Sequence, residues 1–325
     1  AGYIASHVIR QLLEAGYRVR GSVRDLKNAS KVDFLRKLPS SERLELVELR
    51  LESDDGWEGV CDGVEYVIHA ASPVGVSMTE EDVPVAVDGT MRVVKSAIAG
   101  KVKRMVCTSS IVAIAWGNDV RKEEFGPEDW TNPENCAKPY EKSKTLAEKA
   151  AWDALSGEGM PEMVTIHPSA CLGPSVSFDA HAPVSSQQLV HGLVCGHFLG
   201  IPDFRMPYVD VRDVARAHIL AMTVPEAAGK RIILSEKGTY DITHLASTLS
   251  TTFPHLNTPS IPLPTFLVWI ASFFDIHAAY FFPELGRTTK FDTRATEEIL
   301  GLKVRHPAKS AIETVHYLIA TNRIP

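Results

Sequence analysis

Short β-branched runs alternate with helical patterns through the first half of this 325-residue chain. We predict strands at residues 17–23, 45–49, 66–69, 103–108 and 163–166, and helices at residues 8–14, 31–38 and 85–99 and after Tyr140. Strands separated by helices imply right-handed crossovers and a parallel sheet with helices on both faces. The sequence therefore predicts an α/β fold with a doubly wound parallel sheet.

The pattern changes after Pro174, where loops and prolines become frequent. A strand end that runs into a helix at residues 209–222, and a strand at 231–234, return to the earlier pattern. We expect residues 1–174 and 208–236 to form a Rossmann-like nucleotide-binding domain. Residues 175–207 and 237–325 are expected to form a smaller, discontinuous substrate-binding region.

The most apolar stretch lies at residues 265–282, and it is interrupted by Asp275 and His277. It is too short and too broken to predict a spanning helix. We interpret it as a buried or pocket-lining helical segment. The alternatives are a contact with a membrane surface or with a second copy of the chain.

Charge and cysteine content exclude several classes of function. The formal net charge of −6 and the scattered basic residues argue against nucleic-acid binding. The five cysteines are far apart and include no Cys-x-x-Cys, so a disulfide framework is not expected. These features favour a reducing compartment, and we expect a cytoplasmic protein that is a monomer or a homodimer.

Tyr140 and Lys144 carry the strongest chemical signal in the chain. On a helix, a spacing of four residues places both side chains on one face, about 5–6 Å apart at Cβ. The ammonium group favours the ionised phenol, so it should make the tyrosine a better proton donor and acceptor near neutral pH. Upstream, residues 104–108 are predicted to form a buried strand that ends at Ser109 and Ser110. A serine delivered toward such a helix predicts a carbonyl-reducing site.

The beginning of the chain resembles the end of a phosphate-binding turn. Gly2 and Ala5 fit the last two small positions of Gly-x-x-Gly-x-x-Gly/Ala, whose glycines let the backbone approach a pyrophosphate. An ordinary helix start is the alternative. Because the first glycine and first strand have no residues to form them, we expect a truncated or fragmentary chain, or else an authentic short form. Cofactor binding and stability should then both be weak.

The end of the second predicted strand bears on the choice of cofactor. An NAD site usually has an acidic residue here, which binds the ribose hydroxyls. This chain has Arg24 instead, with Lys31 one to two helical turns further on. Two cations at this place favour a 2′-phosphate and therefore NADP. The alternative is that both are ordinary solvated side chains.

Taken together, these motifs resemble the extended short-chain dehydrogenases/reductases. The similarity is to the branch that holds dihydroflavonol reductase, cinnamoyl-CoA reductase and microbial aldehyde and ketone reductases, and it covers nearly the whole chain. The matching motifs are Gly2-Tyr3-Ile4, Val23-Arg24-Asp25, His69-Ala70-Ala71-Ser72-Pro73, Asp88-Gly89-Thr90, Thr108-Ser109-Ser110, Tyr140 with Lys144, Pro168 with Gly173-Pro174, and Val209-Asp210-Val211-Arg212-Asp213-Val214-Ala215.

The resemblance implies roles for individual residues. Ser110 and Tyr140 match the catalytic serine and the proton donor, and Lys144 matches the lysine that assists the tyrosine and binds the nicotinamide ribose. Arg24 and Lys31 match ligands of the 2′-phosphate. The remaining cofactor contacts that it implies are Gly2, Tyr3, Ile4, Leu51, Ala70, Ala71, Ser72 and Pro168.

Two positions depart from the family pattern. Arg50 stands where the family usually has an aspartate near the adenine, which puts that contact in doubt. Ala115 stands where flavonoid reductases use asparagine to hold substrate hydroxyls, so a flavonoid substrate is disfavoured.

Several other residues have a structural interpretation that we prefer. Asp210, Arg212 and Asp213 are expected to form an ion-pair and helix-cap cluster, and His69 a satisfied histidine at a strand end. No metal site is expected, because His191, Cys195 and His197 lack a fourth ligand. An apolar substrate pocket is one interpretation of four further side chains, with ordinary packing as the default: Trp116, Phe178, Phe204 and Met206.

Three functions remain open at this point. The leading hypothesis is an NADPH-dependent reductase of aldehydes or ketones, with a small-molecule carbonyl substrate. A hydroxysteroid dehydrogenase or a nucleotide-sugar epimerase of the same fold is the second. A non-catalytic NADP-binding protein is the third, and the Ser110, Tyr140 and Lys144 set argues against it.

Overall fold

The computed structural model describes residues 2–118, 122, 124–177, 185–237 and 240–324. Its helices are, in chain order, α1 (Tyr3–Glu14), α2 (Ala29–Arg36), α3 (Asp82–Ala99), α4 (Val112–Ala115), α5 (Pro139–Ala154), α6 (Ser185–Val194), α7 (Val211–Thr223), α8 (Ile242–Thr252), α9 (Thr265–Ala271), α10 (Ile276–Phe281), α11 (Arg294–Glu298) and α12 (Pro307–Ala320). Its strands are β1 (Val19–Val23), β2 (Leu44–Glu48), β3 (Tyr66–His69), β4 (Arg104–Thr108), β5 (Glu124–Phe125), β6 (Glu162–Pro168), β7 (Ala170–Leu172), β8 (Tyr208–Asp210), β9 (Arg231–Leu234) and β10 (Lys290–Phe291).

The main sheet has four parallel strands in the order β3-β4-β6-β9. Every residue of β4 is buried, as expected for a strand covered on both faces. Helices α3 and α5 cover one face through Val94, Met105 and Ala151. Helix α7 covers the other face, where Val214 and Ala217 pack with Ile166. The predicted α/β fold with a parallel sheet and helices on both faces is confirmed.

Strands β1 and β2 form a second, separate parallel pair. A single doubly wound sheet would place one more strand between β1 and β3. Among the described residues none pairs there, so helix α1 packs mainly against α7, with Ile9 and Leu13 reaching the β1–β2 side. Two further parallel pairs, β7–β8 and β5–β10, lie outside both sheets.

The C-terminal half has its own apolar core. Helices α6, α8 and α12 meet around fully buried side chains that include Leu193, Leu249 and Val315. Strands β7 and β8 border this core through Leu172 and Tyr208. No helix in the described ranges is long and apolar enough to cross a membrane.

The interpretation of residues 265–282 as a buried segment was wrong, and a pocket-lining role for them stays a prediction. This stretch forms two short helices, α9 and α10, separated at Asp275, whose side chain caps α10 by accepting from the Ala278 N–H. Trp269 is 50% exposed and Phe274 is 88% exposed. Only Val268 of α9 is buried, because the pair of helices contacts the rest of the protein along one narrow side.

Candidate active site

The carboxyl end of β4 delivers two serines to the edge of the main sheet. Ser109 and Ser110 directly follow the strand, and both are buried. The Ser109 N–H donates to the Ile166 carbonyl at 2.8 Å, and the Ile111 N–H donates to the Pro168 carbonyl at 3.2 Å. The turn is therefore held against β6 on both sides of Ser110.

Helix α5 presents Tyr140 to this turn. Pro139 occupies the first turn of the helix, where a missing N–H costs nothing, so Tyr140 lies at the very start of α5. The Ser110 hydroxyl lies close enough to the half-buried Tyr140 phenol to lower the pKa of the phenol. The structure thus brings together the two hydroxyl groups on which the sequence-based prediction depends.

The proton affinity of the phenol differs from the expectation. Burial raises the pKa of Tyr140 to about 12, and the nearby Ser110 hydroxyl offsets only part of that rise. The predicted lowering by Lys144 is not what this structure shows, because the ammonium group is engaged elsewhere. Tyr140 consequently holds its proton at neutral pH.

Lys144 lies one turn further along the same face of α5 and is buried. Its Nζ donates to the Thr108 carbonyl at 3.1 Å. Burial lowers the pKa of Lys144, while nearby Cys107 and Glu148 raise it. Thr108 is fixed in turn, because its hydroxyl lies 2.7 Å from Nε2 of His218, whose Nδ1 lies 2.7 Å from the Val214 carbonyl.

The start of α1 can hold an anion. Gly2 is the N-cap, and no side chain caps the helix, so the first backbone N–H groups, Tyr3 and Ile4 among them, have no partner within the helix. A Cβ built on Gly2 would meet no atom within 4 Å, so the space above this end is open. The Tyr3 hydroxyl donates to the Gly173 carbonyl at 2.5 Å, which ties the helix start to the turn after β7.

Arg24 and Lys31 lie exposed near the carboxyl end of β1 and on α2. In the described part of the chain, neither side chain has a hydrogen-bond or ion-pair partner. The uncapped start of α1 and these two cations could together bind the phosphates of a dinucleotide.

The other predicted cofactor residues surround the same edge. Ala70, Ala71 and Ser72 follow the end of β3, and Pro168 is the buried last residue of β6. Leu51 is buried against α3, where a Cβ on Gly89 would approach the Leu51 Cβ to 2.7 Å. Its carbonyl accepts from Arg92 at 2.6 Å.

The structure also shows the surroundings of the two residues that depart from the family pattern. Arg50 is exposed and lies 3.9 Å from Glu48. Ala115 is fully buried, and its carbonyl accepts from Arg287 at 2.7 Å. A buried methyl group offers no hydrogen bond to a substrate hydroxyl.

The residues given a structural interpretation behave as expected. Asp210 caps α7 and pairs with Arg212 at 2.6 Å, and Asp213 pairs with Arg305. His69 lies 3.1 Å from the Thr90 hydroxyl and is buried.

The remaining candidates take part in packing. Phe204 packs edge-on against Phe281, with ring centroids 5.0 Å apart, and Trp116 lies under the Arg287 guanidinium. Met206 packs against the C-terminal core. Phe178 is outside the described residues. His191 lies 3.2 Å from the Arg323 carbonyl, and the Cys195 sulfur lies 3.6 Å from the same imidazole.

Sequence reasoning missed two buried charged groups next to Tyr140. Glu148, one further turn along α5, accepts from several donors behind the serine turn. Lys138, the N-cap of α5, lies 2.6 Å from Glu284 and 3.4 Å from Glu141. The continued four-residue spacing from Tyr140 through Lys144 to Glu148 was a signal that could have identified the first group.

Comparison with known proteins gives one family. A model of the NAD dependent epimerase/dehydratase family matches residues 1–235. A cinnamoyl-CoA reductase from Medicago truncatula is 35% identical over 271 residues, which cover 80% of each chain. An anthocyanidin reductase from Arabidopsis thaliana is 32% identical over 250 residues, 71% of this chain and 72% of the relative. The crystal structure of yeast methylglyoxal/isovaleraldehyde reductase complexed with NADPH superposes with a TM-score of 0.82 at 26% identity, covering 99% of this chain and 97% of that one.

Proposed function

This chain belongs to the NAD dependent epimerase/dehydratase family, and we propose that it is an NADPH-dependent carbonyl reductase. The observation that carries the proposal is that the Ser110 hydroxyl and the Tyr140 phenol meet at the carboxyl edge of the parallel sheet, where Ser110 lowers the pKa of the phenol. Ligands of open α/β sheets bind at this edge. The similarity to cinnamoyl-CoA reductase and to methylglyoxal/isovaleraldehyde reductase supports an aldehyde, a ketone or a thioester as the substrate.

NADPH, when bound, supplies the hydride that reduces the carbonyl carbon. The protein's own task is to place the carbonyl oxygen beside the two hydroxyls and to give it a proton. With a pKa of about 12, the Tyr140 phenol is protonated at neutral pH and acts as the donor. The Ser110 hydroxyl donates to the same oxygen and stabilises the negative charge that develops there.

Lys144 supports both groups from the next turn of α5. Its hydrogen bond to the Thr108 carbonyl connects the helix to the end of β4. Its positive charge lies in a buried place, where electrostatic interactions are less screened than in water. We propose that it binds the nicotinamide ribose.

The rest of the cofactor would lie across the uncapped start of α1. We propose that Gly2, Tyr3 and Ile4 bind the pyrophosphate through their backbone. Arg24 and Lys31 then bind the 2′-phosphate. The loop Ala70–Ser72, with Leu51 and Pro168, would line the cofactor between these ends.

We further propose that residues 1–174 and 208–236 bind the cofactor, and that 175–207 and 237–325 bind the substrate. The separate C-terminal core around Leu249 and Val315 supports this division. Among the described residues no cysteine forms a disulfide, which favours a reducing compartment such as the cytoplasm. A monomer or a homodimer is expected, and analytical ultracentrifugation would decide between them.

The test is a screen of NADPH oxidation with small aldehydes, ketones, hydroxycinnamoyl-CoA thioesters, flavanonols and steroids. Turnover of an aldehyde, ketone or thioester, lost in Tyr140→Phe, is expected. A non-catalytic protein would bind NADPH without turnover. An epimerase would interconvert sugar nucleotides without net NADPH consumption.

A further inference from the structure

Glu148 lies directly behind the proposed catalytic groups. It follows Lys144 by one turn and Tyr140 by two on the same face of α5, and its side chain is 1% exposed. Donors on three other elements and on its own helix converge on its two oxygens: Ser109 Oγ at 2.5 Å, Arg231 Nε at 2.7 Å, His167 Nε2 at 2.9 Å, Thr165 Oγ1 at 3.2 Å and Trp152 Nε1 at 3.3 Å. One carboxylate therefore joins α5 to the ends of β4, β6 and β9.

The partners of Glu148 keep its carboxylate ionised. Burial alone raises the pKa of a carboxyl group, but contacts with His167 and Arg231 hold the pKa of Glu148 far below its usual range. An ionised carboxylate can only accept hydrogen bonds. The Ser109 hydroxyl must therefore donate to it, and charge-assisted bonds of this length are strong.

Arg231 is itself fixed. Its guanidinium stacks on Trp130, 3.6 Å from the ring centroid. It also donates to the carbonyls of Pro127 at 2.7 Å and Asp129 at 2.5 Å. A cation held by an aromatic face and two carbonyls gives Glu148 a rigid anchor.

The two adjacent serines therefore have different partners. The Ser109 hydroxyl donates to Glu148, whereas the hydroxyl of the next residue, Ser110, lies near the Tyr140 phenol. Since Tyr140 and Glu148 are on one helix, the distance between the two serine partners is set by the helix itself. We propose that Glu148 and Ser109 are positioning residues, which fix the turn so that the Ser110 hydroxyl stays against the Tyr140 phenol.

The expected effect on kcat rests on the proposed carbonyl reduction. The expected effect on the position of Ser110 against Tyr140 does not. The variant that tests the inference is Ser109→Ala, because it removes one hydroxyl and leaves the Glu148–Arg231 pair intact. The matched control is Thr165→Val, which removes another buried hydroxyl from the same carboxylate at 3.2 Å, away from the serine turn. Glu148→Gln is the second, harsher variant.

The first measurement uses the full chain without cofactor. Carbon-13 NMR of labelled tyrosine reports the hydrogen bonding of the Tyr140 hydroxyl, with the signal assigned from Tyr140→Phe. We expect Ser109→Ala to move this signal in the same direction as Ser110→Ala does, and Thr165→Val to leave it in place. An unmoved signal in Ser109→Ala overturns the proposal, whether or not the wild type turns over any carbonyl.

The second measurement is kinetic, with the best substrate of the NADPH-oxidation screen. Misplacing a reacting group by about 1 Å costs up to about 10²-fold in rate, so we expect Ser109→Ala to lower kcat by about tenfold or more. The NADPH Kd should stay within about threefold, and Thr165→Val should keep kcat within about twofold. Equal losses in the two variants would mean that Glu148 is only structural. A wild type inactive on all carbonyls would reject the proposed function and leave the NMR result standing.

Discussion

The Ser110 hydroxyl lies close enough to the Tyr140 phenol to lower its pKa, although Tyr140 begins a helix and Ser110 follows a strand. The contact exists because β4 ends and α5 begins at the carboxyl edge of the main sheet. The pKa of Tyr140 is about 12 in this arrangement, since burial raises it more than the Ser110 hydroxyl lowers it. The phenol is therefore a proton donor at neutral pH.

Replacing Tyr140 by phenylalanine should remove this donor. We expect kcat to fall by about 10²–10⁴-fold, because positioned proton transfer contributes about that much. The NADPH Kd, measured by fluorescence titration, should change by no more than about threefold. Tyr17→Phe, at a tyrosine that is 37% exposed in the connection between α1 and β1, is the control and should behave as wild type. Retention of most of the kcat in Tyr140→Phe would reject the assignment.

Cofactor preference should depend on Arg24. A hydrogen bond to a charged group contributes about 1.5–3 kcal/mol, so Arg24→Ala should lower the NADPH-to-NADH ratio of kcat/KM by about 10-fold to about 100-fold. Arg18→Ala removes another exposed arginine, at the opposite end of β1, and should leave the ratio unchanged. Equal kcat/KM for the two cofactors in the wild type would contradict the interpretation of Arg24 and Lys31.

The two directions of the reaction should respond differently to pH. Reduction needs the protonated phenol, so kcat/KM for reduction should show no loss from Tyr140 ionisation up to about pH 10. Oxidation of the product alcohol needs the phenolate and should rise about tenfold per pH unit over that range. Initial rates in both directions would check this. A reductive rate that falls tenfold per unit above about pH 7 would mean that the pKa of Tyr140 is lowered to about 7 rather than raised.

Buried histidines should make the fold sensitive to acid. Burial lowers the pKa of His7, His69 and His218 to about 4 each. The unfolded chain, with a histidine pKa of about 6.5, binds more protons than the folded one between these values. Stability is therefore lost as pH falls from about 6.5 toward 4, by about 2 kcal/mol per histidine at pH 5.

Urea unfolding at about pH 7.5 and about pH 5 measures that loss. His218→Gln should unfold more easily at the higher pH but lose less stability on acidification than the wild type does. His255→Gln, at an exposed position, should keep the wild-type difference. An identical acid sensitivity in His218→Gln and wild type would show that His218 is not neutral in the fold.

Two lysines of similar chemistry near the start of α5 should differ in their contribution to stability. Lys138 lies between Glu284 and Glu141, all three side chains being mostly buried, whereas Lys142 pairs with Glu80 at the surface. Lys138→Met leaves the buried Glu141 carboxylate without its lysine and Glu284 with only the longer contact to Arg287 at 3.5 Å, and it should lower the free energy of unfolding by about 3–5 kcal/mol. Lys142→Met should cost no more than about 1 kcal/mol. Comparable losses in denaturant unfolding would contradict this account of the cluster.

Local patterns predicted the main sheet well. The run at residues 231–234 is the strand β9, and the run at 66–69 is β3, because short apolar runs with β-branched residues are typical of strands in a parallel sheet. The meeting of Ser110 and Tyr140 also followed from local information, since strand ends and helix starts share one edge of a parallel sheet.

Contacts between distant segments could not be predicted in this way. The apolar run at residues 265–282 has the composition of a buried helix, and its exposure follows from how little of the protein reaches it. The pKa of Tyr140 depends on burial by elements far apart in the sequence. Glu148 looked like an ordinary helix residue until Arg231 and His167 were placed beside it.

Isotope transfer tests the central claim most directly. NADPH deuterated at the transferable position of the nicotinamide would be incubated with isovaleraldehyde and the protein, and the alcohol examined by mass spectrometry. We predict one deuterium on the carbinol carbon in the wild-type product, and we expect Tyr140→Phe to form this product at least about 10²-fold more slowly. Alcohol formed without deuterium, or deuterated alcohol formed at the same rate by both proteins, would contradict direct hydride transfer with Tyr140 as the proton donor.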